Sequence, residues 1–183
     1  MRKTVTFFAA AVALAFPASA SAELAAGARA PTFTARGALG GKLFTVNLAQ
    51  ALKRGPVVLY FYPKAFTQGC TLEANAFAEA TPEFRKAGAT VIGLSNDDFA
   101  TLQRFSTEAC RDRFAVASAT PAIVKAYDVD LVRDGKSTGL TKRTSYVIGR
   151  DGRVRFVHSD MDYKDHVRLT LNAVKALKGK ARG

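Results

Sequence analysis

The chain is poor in the side chains that bind metals or build disulfide frameworks. Its 183 residues include no tryptophan, two histidines and two cysteines. The histidines, His158 and His166, have no partners at metal-ligand spacing, so the sequence predicts no metal and no cofactor, and we interpret both as surface or strand-end residues. The cysteines, Cys70 and Cys110, allow one disulfide, and a structural bridge is the simplest role for them in an oxidising compartment.

The chain is also short of acidic residues and has no block of basic ones. It carries 27 Lys and Arg against 15 Asp and Glu, which gives a formal net charge of +12. The basic residues are scattered, and tyrosine and phenylalanine do not alternate with them as a platform for stacking bases would require. The charge therefore indicates solubility and a preference for acidic partners, and we expect no nucleic-acid binding.

Long apolar runs are missing except near the N-terminus. Met1-Arg2-Lys3 precede an apolar run over residues 5–16, and small residues follow as far as Ala22. This order predicts a secretory signal peptide over residues 1–22 and one mature domain over residues 23–183. An uncleaved membrane anchor is the alternative, but the run is short for a hydrocarbon core about 30 Å thick. We therefore expect an exported protein, periplasmic or secreted, without a stable membrane anchor.

Several stretches of the chain have the composition of strands. Two short apolar segments flank a glycine-rich turn at residues 37–41 and predict an N-terminal hairpin. Residues 56–62 and 89–95 are continuous apolar runs, which are typical of strands buried on both faces of a sheet. The Asp-Gly pair at positions 151 and 152 predicts a second hairpin over residues 144–158.

Helical spacing follows the first buried strand. The apolar residues Leu72, Ala76, Phe77, Ala80 and Phe84 recur on one predicted helix face. Pro82 lies within this pattern, so we expect it to kink the helix or to start a second helix with Thr81 as the cap.

The order of elements predicts the fold class. Residues 128–142 are expected to be a polar loop, and a last helix is expected over about 163–177. Strand, helix, strand, helix, antiparallel hairpin and closing helix make an α/β fold. The layout resembles the thioredoxin-like fold, with a central mixed sheet flanked by helices and an N-terminal hairpin extension.

Cys70 stands where a buried strand has ended and a helix begins. In open α/β sheets, ligands bind beyond the carboxyl ends of the strands. The N-terminus of the helix adds unpaired N–H groups and about half a positive charge. Both features favour a thiolate over a thiol, so we predict that Cys70 is a reactive nucleophile.

The residues around Cys70 resemble a known active site. The pattern Pro63-x-x-x-Thr67-x-x-Cys70 is similar to the motif of the peroxiredoxins, and the runs at 60–64 and 70–73 resemble the bacterioferritin-comigratory, or PrxQ, branch. The likeness extends from residue 27 to the last helix. It implies a monomeric thiol-dependent peroxidase that reduces hydrogen peroxide or organic hydroperoxides and is itself reduced by a thioredoxin-like or other thiol donor.

The resemblance also implies a role for each matched residue. Cys70 would be the peroxidatic cysteine, Thr67 would hydrogen-bond its sulfur and the peroxide, and Pro63 would shield the sulfur from water. Arg143, just before a late predicted strand, matches the family's arginine and would stabilise the thiolate and orient the peroxide. Glu73 matches a frequent family residue, which we interpret as supporting rather than catalytic.

The resemblance leaves the second half of the cycle open. Many PrxQ proteins have a partner cysteine five residues after the first, where this chain has Asn75. Another arrangement of the branch places the partner in the helix after the next strand, and Cys110 lies there, about one turn later than that pattern. We expect Cys110 to resolve Cys70 within one chain after local unwinding, because a disulfide needs Cα atoms within about 7 Å. A one-cysteine cycle with Cys110 as a bystander is the alternative.

Other classes of protein share parts of this pattern. An exported disulfide oxidoreductase of the thioredoxin type needs Cys-x-x-Cys, whereas Thr67 and Glu73 stand three residues before and after Cys70. A glutathione-peroxidase-like enzyme would resemble a motif with glutamine and tryptophan, and the chain has no tryptophan. A non-enzymatic binding module with a structural Cys70–Cys110 disulfide is the remaining interpretation.

Overall fold

The computed structural model describes residues 23–180. The predicted signal peptide, residues 1–22, lies outside the described residues, as do residues 181–183. Among the described helices, none combines the length and the apolar character that a membrane crossing needs.

Strands and helices alternate along the described chain. The strands are β1 (Thr34–Leu39), β2 (Lys42–Asn47), β3 (Val57–Phe61), β4 (Thr90–Ser95), β5 (Ala115–Ser118), β6 (Asp130–Arg133), β7 (Lys136–Thr141), β8 (Thr144–Ile148) and β9 (Val154–Ser159). The helices are α1 (Leu48–Arg54), α2 (Gln68–Lys86), α3 (Phe99–Glu108), α4 (Pro121–Tyr127) and α5 (His166–Lys180).

One mixed sheet organises the fold. Its seven strands run in the order β2-β1-β5-β4-β3-β8-β9, with β3, β4 and β5 parallel and the outer strands antiparallel to their neighbours. The predicted N-terminal hairpin is confirmed, and β1 adds it to the sheet by pairing with β5. Helices lie on both faces, so the predicted thioredoxin-like α/β fold with a central mixed sheet is confirmed.

The central strand β3 separates two apolar cores. Val57, Leu59 and Phe61 point to the core covered by α1 and α4. Val58 and Tyr60 point to the opposite core, which is covered by α2, α3 and α5. Both faces of the strand are buried, which is why its sequence is continuously apolar rather than alternating.

The stretch predicted as a polar loop, residues 128–142, contains a hairpin, so that prediction was wrong. Strands β6 and β7 pair with each other as a separate two-stranded sheet. Asp134 and Gly135 form their turn with φ of 50° and 72°, as a two-residue hairpin turn requires. The Asp-Gly pair was the available signal, but the flanking residues are mostly exposed and show little apolar alternation.

Helix α2 is one continuous element through Pro82, so of the two outcomes predicted there, a kink or a second helix, the second helix does not form. The Thr81 hydroxyl donates to the Phe77 carbonyl oxygen over 2.8 Å within this same turn. The buried face is also rotated, because Leu72 is 42% exposed while Cys70, Glu73, Ala74, Phe77, Ala78, Thr81 and Phe84 are buried.

Candidate active site

Cys70 lies in the first turn of α2, beyond the carboxyl end of β3. Its side chain is 1% exposed and belongs to the core between the sheet and α2, α3 and α5. Thr67 is the N-cap residue of α2 by its backbone, and its carbonyl oxygen accepts from the Thr71 N–H at 2.9 Å. The sequence therefore places the thiol at a helix N-terminus, where the local field favours an anion.

Arg143 reaches this thiol from the adjacent strand. It precedes β8, whose first residue Thr144 pairs with Phe61 at the end of β3, so Arg143 stands at the same edge of the sheet. Its Nη2 lies 3.4 Å from the Cys70 Sγ, and its Nε donates to the Met161 carbonyl oxygen at 3.0 Å. The side chain is only 5% exposed, so the positive charge acts on the sulfur with little screening by water.

Glu73 completes a buried ion pair behind the thiol. It lies one turn after Cys70 on α2, and its Oε2 accepts from the Arg143 Nη1. Burial raises the pKa of Glu73 to about 8, although Arg143 opposes this rise. Burial lowers the pKa of Arg143, but the charges of Glu73 and Cys70 reverse this and raise it above its usual value. The guanidinium is therefore charged and fixed by three partners.

The loop before α2 is anchored to the segment between β4 and α3. The Ala65 N–H donates to the Asp97 carboxylate at 2.8 Å, and the Ser95 hydroxyl donates to the same oxygen at 2.7 Å. Phe66 has a left-handed backbone with φ of 64°, and its ring packs edge-on against Phe105 of α3 at 5.2 Å. The Asp97 carboxylate and the packing of Phe66 thus hold the Cys70 loop against α3 and the segment that precedes it.

Thr67 and Pro63 lie in this loop, and the Thr67 hydroxyl does not make the contact with the sulfur that was expected of it. The Thr67 hydroxyl donates its hydrogen to the Lys64 carbonyl oxygen at 3.0 Å, so it does not donate to Cys70 in this conformation. Pro63 is half-buried directly after β3. Arg143 is the predicted partner that the structure brings to the sulfur.

Cys110 is also buried, in the turn that follows α3. Its N–H donates to the Phe105 carbonyl oxygen at 3.0 Å, and Arg111 and Asp112 follow with left-handed φ of 48° and 58°. Burial raises the pKa of the Cys110 thiol well above its usual value. Both cysteines are free thiols, so the structure contains no Cys70–Cys110 bridge.

His166 is not the surface residue that the sequence predicted. It is fully buried as the first residue of α5, and its Nδ1 lies 2.8 Å from the Ser145 hydroxyl and 3.8 Å from the Glu73 Oε1. The four-residue spacing of His166, Thr170 and Val174, all buried, was the signal that would have placed it on the inner face of α5. His158 is half-buried in β9, with its ring 4.6 Å from that of His166.

These groups define a class of chemistry. A buried cysteine at a helix N-terminus, held against a charged arginine, can act as a thiolate nucleophile on a small substrate. In the part of the chain that is described, no three His, Cys, Asp or Glu side chains are grouped closely enough to hold a metal ion.

Comparison with known proteins identifies the class more closely. Residues 26–157 match the AhpC/TSA family. A putative chloroplastic peroxiredoxin Q of Oryza sativa is 32% identical over 156 residues, which cover 85% of this chain and 69% of that protein. Peroxiredoxin Bcp of Escherichia coli is 31% identical over 121 residues, covering 65% and 78% of the two chains. The chain therefore belongs to the AhpC/TSA family and is a thiol peroxidase of the peroxiredoxin Q/Bcp type.

Solved structures agree with this assignment. Peroxidoxin BcpB of Mycobacterium tuberculosis superposes with a TM-score of 0.74 at 29% identity, covering 84% of this chain and 98% of that one. The bacterioferritin comigratory protein of Xanthomonas campestris, whose alkyl peroxide reduction activity has been described, gives a TM-score of 0.69 at 29% identity. It covers 78% of this chain and 91% of its own.

Proposed function

We propose that Cys70 is the peroxidatic residue and that Cys110 resolves it as an intramolecular disulfide. The observation that carries the first half is the Arg143 fork, which touches the Cys70 sulfur with Nη2 and the Glu73 carboxylate with Nη1. A charge held in this way stabilises the thiolate and also the negative charge that develops on the peroxide oxygens.

The first step forms a sulfenic acid. The Cys70 thiolate attacks one peroxide oxygen, the O–O bond breaks, and the leaving alkoxide or hydroxide takes up a proton to become alcohol or water. We assign Arg143 and the first N–H groups of α2 to the stabilisation of this charge. We assign Thr67 to the peroxide, which its hydroxyl reaches by turning away from Lys64, and Pro63 to the exclusion of water from the sulfur.

The second step requires both cysteines to leave their buried positions. The Cys110 sulfur attacks the sulfenic sulfur, water leaves, and an S–S bond forms; a thioredoxin-like or other thiol donor then reduces it. The turn after α3 supports this step, because Arg111, Asp112 and Arg113 are exposed and little apolar surface holds them. Once this turn opens, the Cys110 thiol enters water and loses the burial that raises its pKa.

Mass spectrometry of the reduced protein after one equivalent of peroxide tests this cycle. We expect a loss of two hydrogens per chain and one peptide pair linked between Cys70 and Cys110. In Cys110→Ser, the product should be the Cys70 sulfenic acid. A sulfenic acid that persists in the unmodified chain, or bridges only between chains, would contradict resolution by Cys110. Unmodified Cys70 in both proteins would contradict the peroxidatic role.

Three exposed apolar side chains favour organic hydroperoxides as substrates. Phe66 and Leu72 flank Cys70 in sequence, and Met161 supplies the carbonyl that holds Arg143. All three side chains are more than one third exposed. They offer an apolar surface to the organic part of a hydroperoxide, in keeping with the alkyl peroxide activity of the Xanthomonas campestris relative.

Export is the remaining part of the proposal. The order of charged, apolar and small residues over 1–22 supports cleavage after Ala22 and delivery to an oxidising compartment. Expression of the full chain in a bacterial host should give a periplasmic or secreted product that begins at Glu23. N-terminal sequencing of the fractionated protein measures this, and an intact Met1 in the cytoplasmic fraction would contradict it.

A further inference from the structure

The residue directly before Cys70 is a glycine that the backbone does not require. Gly69 belongs to the first turn of α2, in helical backbone without the positive φ that favours glycine. Glycine destabilises a helix relative to alanine, because it loses more conformational freedom on folding. The conformation of α2 therefore gives no reason for a residue without a side chain at this position.

The space beside Gly69 is bounded by the arginine that contacts the sulfur. A Cβ atom at this position would lie 3.4 Å from the Arg143 Nη2 and 3.9 Å from the Tyr163 Cδ1. Within the described part of the chain, and apart from the chain neighbours of Gly69 and the backbone of its own helix, nothing else would come within 4 Å of it. Gly69 is itself half-buried. The missing side chain thus leaves a gap between α2 and Tyr163, which opens from the surface toward Arg143.

The guanidinium at the base of this gap has a donor left for a substrate. Arg143 carries five N–H donors, two of them on Nη2. Within residues 23–180, the Cys70 sulfur is the only hydrogen-bond partner of Nη2, since the other bonds of Arg143 come from Nε and Nη1. The second hydrogen on Nη2 is therefore free to bind a peroxide oxygen beside the sulfur. A side chain at position 69 would contact this same nitrogen atom.

Apolar side chains border the gap on its outer side. The Tyr163 ring lies across the gap from Gly69. Leu72 follows Gly69 by three residues, so it lies on the same face of α2, and its side chain is exposed. An alkyl or aryl group placed here would remove apolar surface from water. The gap thus combines one hydrogen-bond donor at its base with apolar surface toward the solvent.

We propose that Gly69 is a specificity-determining residue, whose missing side chain admits the organic part of a bulky hydroperoxide to the gap between α2 and Tyr163. This role rests on the proposed peroxidatic function of Cys70 and names the residue that selects the substrate. The thiolate attacks the terminal oxygen, so the organic group stays on the leaving oxygen, on the side away from the sulfur. Hydrogen peroxide carries only a hydrogen atom there and does not need the gap.

Kinetics with two peroxides test this role. kcat/KM is measured with cumene hydroperoxide and with hydrogen peroxide, in excess dithiothreitol so that turnover does not depend on the natural reductant. The methyl group of Gly69→Ala makes only ordinary van der Waals contacts, yet it occupies the gap. We expect this variant to lower the ratio of kcat/KM for cumene hydroperoxide to that for hydrogen peroxide by about tenfold, as one methyl group does in a fitted pocket. Gly69→Val should lower the ratio further.

Tyr163 supplies the complementary change. Tyr163→Ala removes the opposite side of the gap, so its addition to Gly69→Ala should return the ratio most of the way to that of the unmodified protein. A variant impaired only by a disturbed helix would not recover in this way. The matched control is Gly179→Ala, the same substitution in α5, where a Cβ atom would meet no group within 4 Å among the described residues. It should leave the ratio unchanged.

The outcomes separate this role from the peroxidatic role of Cys70. An unchanged ratio in both Gly69 variants, an equal loss for both peroxides, or no recovery on truncation of Tyr163 would overturn the inference. So would an unmodified protein that consumes hydrogen peroxide but not cumene hydroperoxide. Consumption of neither peroxide would instead overturn the peroxidatic role. Gly69→Ala keeps the test available if Gly69→Val does not fold, because alanine favours a helix.

Discussion

Arg143→Met is expected to lower kcat/KM for hydrogen peroxide by about 10²–10³-fold, the usual effect of losing one donor to a developing negative charge. The variant removes the Nη2 contact to the Cys70 sulfur and the charge that faces the peroxide. Stopped-flow consumption of peroxide, with Cys70→Ser as the inactive reference, measures the effect.

The matched control is the neighbouring cation. Lys142→Met removes a positive charge that pairs with Glu23 at 3.0 Å and makes no contact with Cys70, so its rate should stay within about threefold of the unmodified enzyme. An equal loss of rate in the two variants would show that the effect comes from the net positive charge near the site and not from the contacts of the Arg143 guanidinium. Because Arg143→Met also leaves Glu73 buried without its cation, at a cost of about 3–5 kcal/mol, circular dichroism must establish folding before rates are compared.

Gly37→Ala is expected to destabilise the protein by about 3 kcal/mol or more, near the upper end of the effects of overpacking. A Cβ atom at this position in β1 would lie 2.1 Å from the Val116 carbonyl oxygen and 2.7 Å from the Ala117 Cα in β5. Both are backbone atoms of a paired strand, so relief requires the hairpin to move away from the sheet. Thermal unfolding should show a midpoint lowered by roughly 6–12 °C.

A second glycine provides the comparison for this stability effect. A Cβ atom at Gly179, near the end of α5, would meet no group of the described residues outside its own helix turn within 4 Å. Gly179→Ala should therefore leave stability unchanged or raise it by up to about 1 kcal/mol, because alanine favours a helix. A loss in Gly37→Ala no larger than the change in Gly179→Ala would contradict the tight approach of β1 and β5.

Strong local patterns made most of the fold predictable. The buried strands β3 and β4 and the β8–β9 hairpin follow from continuous apolar runs and an Asp-Gly turn. Strands β6 and β7 were not predicted because they pair only with each other and bury few of their side chains. The face of α2 was misjudged because apolar spacing cannot show that a carboxylate such as Glu73 is buried opposite an arginine distant in sequence.

The sequence predicted only those site residues that lie close together along the chain in one motif. Cys70 and its loop are contiguous, whereas Arg143 is 73 residues away and entered only through resemblance to a family. His166 and Asp97 have no such motif, and their roles depend on contacts that the folded chain creates across β8, α2 and the Cys70 loop. The direction of the Thr67 hydroxyl is a matter of conformation, which sequence does not specify.

The packing of Phe66 on α3 affects how readily the enzyme would be inactivated by over-oxidation. In the proposed cycle, the sulfenic acid has two competing fates: capture by Cys110, or attack on a second peroxide to give sulfinic acid, which thiols do not reverse. Capture must wait until the Phe66 ring leaves Phe105 and the turn beyond α3 opens, whereas over-oxidation needs only more peroxide. The ratio of these rates sets the peroxide dose at which the enzyme inactivates itself. That threshold therefore depends on the contact between Phe66 and Phe105 as well as on the reactivity of the sulfur.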